Sequence, residues 1–218
     1  MNSKTFFRRA ALLLALAMLT LSMLSCSTSA PLHADLDFTA VDPAKATETS
    51  SVTEYVKISV AEYGDMIIRL YPEVAPKTVE NFQNLVAEGF YDGLTFHRVI
   101  SDFVIQTGDP DGDGTGGSDK TIKGEFRLNG FENNLKHIKG VVSMARLGND
   151  MNSASSQIFI CTESNQKSAS LNGGYAGFGY VVSGIEVVQS IAKVRTGEGD
   201  KPITDVVIEK ACFVTVNP

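Results

Sequence analysis

The stretch that decides the fold runs from Phe96 to Pro110 and has the sequence F-H-R-V-I-S-D-F-V-I-Q-T-G-D-P. Apolar residues hold most of its positions and β-forming residues are frequent, which predicts two strands between residues 96 and 107. Arg98 lies between apolar neighbours in the first of these strands. Because arginine is rarely buried without a partner, we expect it either to line a concave surface or to form a surface ion pair.

Four further motifs stand near this arginine in a fixed order. F-V-I-Q-T-G-D begins at residue 103, G-T-G-G at 114, S-M-A-R at 143 and S-S-Q-I-F-I at 155. Together with F-H-R-V-I, they resemble the cyclophilin-type peptidyl-prolyl isomerases, and the similarity runs from about Glu54 to about Val216. The resemblance implies a closed eight-stranded antiparallel β-barrel capped by two α-helices. It also implies isomerisation of X-Pro peptide bonds without a cofactor.

The hydrophobic pattern of the rest of the chain independently predicts a mainly β fold. V-K-I-S-V at residues 56–60 alternates apolar and polar side chains, and a turn at 63–65 leads into a second strand. Further strands are predicted at 140–145, 157–162, 178–182 and 205–216, and helices are predicted between Pro76 and Gly89 and at 185–192. Many short strands indicate a barrel, although the pattern alone does not distinguish one type of barrel from another.

The composition is that of an ordinary globular domain with an appendage. The chain has 218 residues, of which 43% are hydrophobic and 20% are charged. Its net charge is -6 and its sequence contains no block of like charges, and both features argue against a nucleic-acid partner. The resemblance to cyclophilins implies that the partners are proline-containing peptides and unfolded exported proteins, and we expect a monomer.

The N-terminus predicts export and lipid anchoring. Three basic residues precede an apolar run from Ala10 to Leu21, which is shorter than the ~20 residues that span a bilayer, so residues 1–25 are interpreted as a signal peptide. Cys26 follows as in the lipobox of bacterial lipoproteins, with Met23 where leucine is usual. Two acyl chains on Cys26 would anchor the protein stably to the cell membrane, outside the cytoplasm. The alternative is an ordinary signal peptide that is cleaved nearby.

Residues 26–53 are predicted to be a flexible spacer, which leaves 54–218 as the folded domain. Ser, Thr, Ala, Asp and Pro dominate the spacer and its hydrophobic residues show no period. Cys161 and Cys212 remain for the domain, both in apolar runs that resemble strands. Export permits a disulfide, but free cysteine is also a common core residue, and we favour free thiols.

The loop from Asp109 to Gly117 contains two misleading motifs. Its alternating aspartates match the opening of a calcium-binding loop, but the twelfth position is Lys120 where glutamate is required. Its glycines also satisfy G-x-G-x-x-G, yet no helix pattern follows. We therefore expect neither a metal nor a dinucleotide here.

The resemblance assigns the site residue by residue. It gives the catalytic role to Arg98, with Gln106 orienting it. Substrate binding is assigned to His97, Phe103, Val104, Gly114, Ala145, Arg146, Gln157, Phe159, Leu171 and Tyr175. From the residue types alone, His97 and the apolar members could equally be ordinary core residues. Ser170 stands where many relatives carry a tryptophan that helps to bind cyclosporin, and this chain has no tryptophan.

Two classes of function follow from these assignments. The first is an isomerase that assists the folding of exported proteins outside the cytoplasm. The second is a membrane-tethered binding module or chaperone that holds proline peptides without turning them over. The rate at which a short X-Pro peptide is isomerised by the wild type and by Arg98→Ala distinguishes the two.

Overall fold

The computed structural model describes residues 36–217. The predicted signal peptide, Cys26 and the first part of the predicted spacer lie outside the described residues. Within them, no helix is long and apolar enough to cross a membrane.

Nine strands and three α-helices make up the regular structure of the described residues. The strands are β1 (Ala46–Thr49), β2 (Tyr55–Val60), β3 (Gly64–Leu70), β4 (Arg98–Ile100), β5 (Val104–Thr107), β6 (Val141–Met144), β7 (Ile158–Cys161), β8 (Ala176–Ser183) and β9 (Ile208–Val216). The helices are α1 (Pro76–Ala87), α2 (Gln166–Ala169) and α3 (Ile185–Ile191). Short 3-10 turns occupy Pro43–Lys45, Arg127–Asn129 and Glu198–Asp200.

All strands pair antiparallel in one sheet of order β1-β9-β2-β3-β8-β6-β7-β5-β4. The predicted mainly β fold with helices is therefore confirmed. In β2 every second residue is buried, and Val56, Ile58 and Val60 are almost completely inaccessible to solvent. This burial follows the alternation of the sequence, because successive side chains of a strand point to opposite faces.

The eight strands of the predicted barrel are β2 to β9. No hydrogen-bonded ladder joins β4 to β9, the strands at the two ends of this set. The residues that lead into these two strands meet instead at one bridge between Thr95 and Val207. Phe96 N donates to Val206 O at 2.9 Å beside that bridge. Contact between the two lead-in segments, rather than a full ladder, brings the ends of the sheet together.

The predicted spacer also needs a correction, because part of it belongs to the sheet. β1 adds a ninth strand outside β9, with Ala46 opposite Val216 and Thr49 opposite Phe213. Glu48 of β1 forms ion pairs of 2.7 Å with both Lys57 and Lys210. The hydropathy pattern does not predict this strand. The strand is held at the edge of the sheet by backbone hydrogen bonds and small polar side chains, and it has no apolar face.

The N-terminus of α1 is capped by a residue distant in sequence. Pro76 opens the helix, and Ala75 before it provides no capping side chain. The buried carboxylate of Glu125 takes this role: it accepts hydrogen bonds from Lys77 N at 3.1 Å and from both N and Oγ1 of Thr78 at 2.8 Å. A carboxylate here satisfies free backbone N–H groups and interacts favourably with the helix dipole.

Both faces of the sheet carry apolar side chains, and these form separate clusters. The inner face and α1 form the main core, in which Phe82 packs at 5.2 Å from both Tyr91 and Phe178. A second, smaller cluster lies on the other face of β5 and β7 and contains Val104, Phe159, Cys161 and Leu171. This outer cluster positions the candidate site.

Candidate active site

Strand register gathers the candidate side chains into one row across the sheet. Arg98 on β4 lies directly opposite Gln106 on β5, and Gln106 lies opposite Phe159 on β7. Ser143 on β6 lies opposite Phe159 in turn. Directly opposite residues of an antiparallel pair project to the same face, so residues up to 61 positions apart in sequence meet at one place.

A pocket of about 210 Å³ opens on this face, and because most of the side chains in its walls are apolar we call it the apolar pocket. The residues that line it are Arg98, Phe103, Val104, Gln106, Ala145, Arg146, Phe159, Leu171 and Tyr175. Its walls come from the outer cluster, and Tyr175 meets Phe159 edge to face at 5.6 Å. The structure thus brings nine of the predicted site residues around one pocket.

Arg98 is held at the rim of this pocket by two partners. Its NH1 group donates to Gln106 Oε1 at 3.4 Å, and its Nε lies 3.5 Å from Asp200 Oδ2. The side chains of Arg98 and Asp200 are 39% and 48% exposed, so this ion pair is screened by solvent and restrains the arginine only weakly. Both sequence interpretations of Arg98 therefore hold, since it lines a concave surface and also forms a surface ion pair.

A polar cavity of about 260 Å³ lies next to the apolar pocket. The two share Gln106, Ala145 and Arg146 as walls. Gln157 and Gly114, both predicted to bind substrate, line the polar cavity and not the apolar pocket. Gln106 Nε2 donates to Gln157 Oε1 at 2.8 Å, and Gln157 Nε2 donates to Gly116 O at 2.7 Å. This chain of amides fixes Gln106 with its oxygen towards Arg98.

The loop that carries G-T-G-G is organised around the buried Asp109. Its carboxylate accepts hydrogen bonds from the backbone N–H groups of Asp111, Asp113 and Gly114, as in an Asx turn. Gly114 has φ +93°, a conformation that favours glycine. The described residues contain no group of three His, Cys, Asp or Glu side chains that could hold a metal ion.

His97 is set apart from both cavities, although it was predicted to bind substrate. It precedes β4 and is 5% exposed, and neither cavity includes it among its walls. Alternation along the strand explains this position, because Arg98 faces the pocket and its neighbour points the other way. Neither ring nitrogen has a hydrogen-bond partner. Burial lowers the pKa of His97, although the nearby carboxylate of Asp109 opposes this shift.

A buried histidine supports the floor of the apolar pocket. His137 stacks on Phe159 at 5.9 Å, with Nε2 3.0 Å from Ser143 Oγ and Nδ1 3.1 Å from Asn172 Oδ1. Burial lowers the pKa of His137 to about 4, which keeps the ring neutral near pH 7. The order of these three groups resembles a nucleophilic triad, but Ser143 is completely buried and cannot reach a substrate. The contacts with Ser143 and Asn172 fix the His137 ring beneath Phe159.

The two cysteines of the domain are free thiols. Cys161 is buried in the outer cluster, and burial raises its pKa to about 12. Cys212 lies on β9 and is half-buried. A thiol with such a high pKa is a packing residue rather than a nucleophile.

Sequence reasoning missed the partners that hold the site in place. Asp200 lies in a short 3-10 turn about 100 residues beyond Arg98, and its sequence context G-E-G-D-K resembles an ordinary loop. His137 stands outside all five motifs. Ser153 lines the polar cavity without belonging to any of the motifs. Periodic patterns of charge or hydropathy do not predict such contacts, because the contacts form only when the sheet is assembled.

The site is therefore a groove in which two arginines, Arg98 and Arg146, stand among the apolar walls of a pocket. The sequence pattern described as cyclophilin type peptidyl-prolyl cis-trans isomerase/CLD matches residues 55–212. The chain is 44% identical over 149 residues to the peptidyl-prolyl cis-trans isomerase ppi1 of Schizosaccharomyces pombe, which covers 68% of this chain and 92% of that protein. It is 45% identical over 161 residues to CYP71, an isomerase of Arabidopsis thaliana, but spans only 24% of that protein's length against 73% of its own.

A solved structure agrees with both the fold and the sequence similarity. The cyclophilin-type isomerase of Cryptosporidium parvum, solved in the presence of the dipeptide Ala-Pro, superposes with a TM-score of 0.66 at 32% identity. The match covers 75% of this chain and 99% of that one. The chain belongs to the family of cyclophilin-type peptidyl-prolyl cis-trans isomerases, and its enzyme class is that of this family.

Proposed function

We propose that this protein catalyses cis–trans isomerisation of X-Pro bonds in exported proteins and so assists their folding outside the cytoplasm. The observation that carries the catalytic part is the position of Arg98 on the wall of the apolar pocket, beside Phe103, Phe159 and Leu171. An apolar side chain such as a proline ring fits this pocket, and a related isomerase was solved in the presence of Ala-Pro.

The reaction requires rotation about an amide bond and no covalent step. The barrier is ~18–20 kcal/mol because the C–N bond has partial double-bond character. In the twisted amide the proline nitrogen regains its lone pair and can accept a hydrogen bond. Arg98 donates that bond, so it stabilises the twisted state more than either planar form. A charge-assisted hydrogen bond contributes roughly 1.5–3 kcal/mol, and each 1.36 kcal/mol is about tenfold in rate.

Gln106 and Gln157 prepare the arginine for this role. The amide chain that ends at Gly116 O orients the Gln106 oxygen towards Arg98 NH1. A fixed acceptor restricts the guanidinium to few conformations before substrate arrives, and preorganised donors cost no rearrangement during the reaction. The apolar walls hold the proline ring while the acyl side of the bond rotates.

Turnover of a short X-Pro peptide tests the catalytic proposal. Arg98→Ala should lower kcat/KM at least tenfold, the loss of one charge-assisted hydrogen bond. Arg127→Ala is the matched control, because Arg127 is exposed and lines neither cavity. Circular dichroism should show the same fold for all three proteins. Equal turnover by wild type and Arg98→Ala would contradict the mechanism.

The alternative is a binding module that holds proline peptides. It is favoured by the polar cavity, which extends the groove beyond what one proline ring needs. Peptide affinity, measured by fluorescence anisotropy on the same variants, separates the two functions. A binding module would bind the peptide without accelerating its isomerisation in the wild type.

Export and anchoring rest on the N-terminal sequence, which lies outside the described residues. A basic segment, an apolar run and Cys26 support lipidation at that cysteine. The mature protein should fractionate with membranes and carry a lipid mass on its N-terminal cysteine, and Cys26→Ala should abolish both. Wild-type protein with an unmodified N-terminus beyond Cys26 would refute the anchor without affecting the catalytic proposal.

A further inference from the structure

Arg146 carries a positive charge that the structure leaves without an acidic partner. It is half-buried, and its Nε donates to Gly174 O at 3.0 Å while NH1 donates to Leu147 O at 2.9 Å. Its guanidinium lies 4.7 Å from the ring of Tyr175 and 5.2 Å from that of Phe126. In the described part of the chain, no carboxylate lies within ion-pair distance of it. Carbonyl groups and aromatic rings thus hold this charge rigidly without neutralising it.

This charge stands where the two cavities meet. Arg146 lines both the apolar pocket and the polar cavity. It is the one ionisable side chain among the residues that line the polar cavity, whose other walls are glycine, serine, threonine, glutamine, alanine and leucine. A peptide whose proline fills the apolar pocket places a neighbouring residue in the polar cavity, since an extended chain advances ~3.3 Å per residue.

Two acidic residues that stand close in sequence to the walls of the polar cavity, Asp113 and Asp150, have other partners. Asp113 precedes the G-T-G-G motif, but its carboxylate accepts hydrogen bonds from the N–H and hydroxyl of Thr115. It also interacts with the positive charge of Lys201. Asp150 accepts a hydrogen bond from Asn152 N, outside both cavities. The whole chain has a net charge of -6, so the cationic groove contrasts with the rest of the molecule.

We propose that Arg146 determines substrate specificity, selecting X-Pro segments with an acidic residue either two positions before the proline or one position after it, whichever enters the polar cavity. This inference rests on the proposed isomerase function and names its substrate class. A carboxylate in the polar cavity gains the attraction of a fixed, partly desolvated guanidinium, whereas an ammonium there is repelled. Steering by the same charge also raises the rate of encounter with acidic segments.

The test uses two series of four-residue peptides with a single proline. The variable residue, Glu, Gln or Lys, stands two positions before the proline in one series and one position after it in the other. The kcat/KM of each peptide is measured for wild type, Arg146→Gln, Arg146→Lys and Arg127→Gln. Glutamine retains a polar side chain without the charge, and lysine preserves the charge without the planar guanidinium. Arg127 supplies the matched control because it is exposed and lines neither cavity.

Wild type should prefer Glu over Gln by about 3- to 10-fold in one of the two series, with Lys the poorest substrate, as expected for charges in a partly solvated groove. Arg146→Gln should abolish the preference, while Arg146→Lys and Arg127→Gln should retain it. Raising the ionic strength to 1 M should also weaken it, because the Debye length falls to about 3 Å and only the partly desolvated share of the attraction escapes screening.

Two results would overturn the inference: Glu and Gln peptides that are turned over equally in both series, or a preference that survives in Arg146→Gln. Failure of the isomerase function would be seen separately, as no turnover of the neutral Gln peptides. In that event the affinities of the same peptides, measured by competition, decide the charge preference.

Discussion

At the scale of single residues, Arg98 illustrates how weak contacts position the proposed catalytic group. Asp200 and Gln106 hold it from two sides at 3.5 Å and 3.4 Å, distances too long for strong hydrogen bonds. The arginine therefore remains free to shorten its contact with a substrate. Asp200 itself adopts φ +60°, in the left-handed region where aspartate and asparagine are better tolerated than most residues.

Asp200→Asn should lower isomerase activity by at most about fivefold, because an exposed ion pair contributes about 0–1 kcal/mol to the position of Arg98. Asparagine keeps the shape and the left-handed backbone, so the change removes mainly the charge. Peptide turnover is the measurement, and Glu198→Gln, an exposed neighbour in the same turn, is the control. In the Arg98→Ala background, Asp200→Asn should have no further effect. An equal loss in both backgrounds would assign Asp200 a purely structural role.

The second prediction at this scale concerns Ser170 and the binding of cyclosporin. It follows α2 directly, is exposed, and precedes Leu171 of the apolar pocket. Serine provides almost no apolar area at the rim, where many relatives carry an indole that helps to bind cyclosporin. We expect weak inhibition by cyclosporin, and about 5–150-fold tighter binding by Ser170→Trp, from ~1–3 kcal/mol of added burial. Nanomolar inhibition of the wild type, or a similar gain in the exposed control Ser190→Trp, would contradict this expectation.

At the scale of secondary-structure elements, α1 depends on a cap that its own sequence lacks. Its apolar stripe of Val79, Phe82, Leu85 and Val86 is buried as the helical spacing predicts. Its first turn, however, is satisfied by Glu125, which stands 47 residues beyond Thr78. The helix and the loop that carries Glu125 are therefore stabilised together.

Glu125→Ala should lower the free energy of unfolding by about 2–3 kcal/mol, because it leaves backbone N–H groups of α1 without acceptors in a buried place. Urea denaturation followed by circular dichroism provides the measurement. Glu80→Ala, an exposed change within α1, should alter stability by less than about 0.5 kcal/mol. Equal effects of the two substitutions would show that Glu125 is not a cap.

At the scale of the whole molecule, the domain should be sensitive to mild acid because both its histidines are buried. Burial lowers the pKa of His137 to about 4 and also lowers that of His97, from an unfolded value near 6.5. The unfolded chain then binds more protons than the folded one below pH 6.5, so stability must fall as the pH decreases. The pKa values of Asp37 and Glu48 are lowered to about 2, from ordinary values of 3.8 and 4.5. The stability that these carboxylates contribute is therefore lost mainly below the pH range in which the histidines act.

Between pH 7.5 and pH 5, His137 should account for a loss of about 2 kcal/mol in the free energy of unfolding. The comparison is urea denaturation of wild type and His137→Gln at both pH values. The variant should lose less stability on acidification, whatever its stability at pH 7.5. A loss identical to that of the wild type would mean that His137 does not titrate as its burial requires.

The sequence by itself determined the elements and the chemical character of the site. Alternation and helical spacing predict β2, α1, α3 and the strands that carry Arg98, Gln106 and Phe159, because local periodicity records which face each element buries. The five motifs around Phe96–Pro110 were sufficient to indicate the family. Those features are local, so they can be detected in one stretch of chain at a time.

Only the tertiary structure decided how distant segments complete one another. Asp200 beside Arg98, Glu125 on α1, His137 beneath Phe159 and β1 along β9 are polar or backbone contacts between segments far apart in sequence. Such contacts leave no periodic signal, since each partner alone resembles an ordinary loop residue. The position of His97 likewise depends on which face of β4 turns towards the pocket. These long-range contacts exist only once the sheet has set the register of its strands.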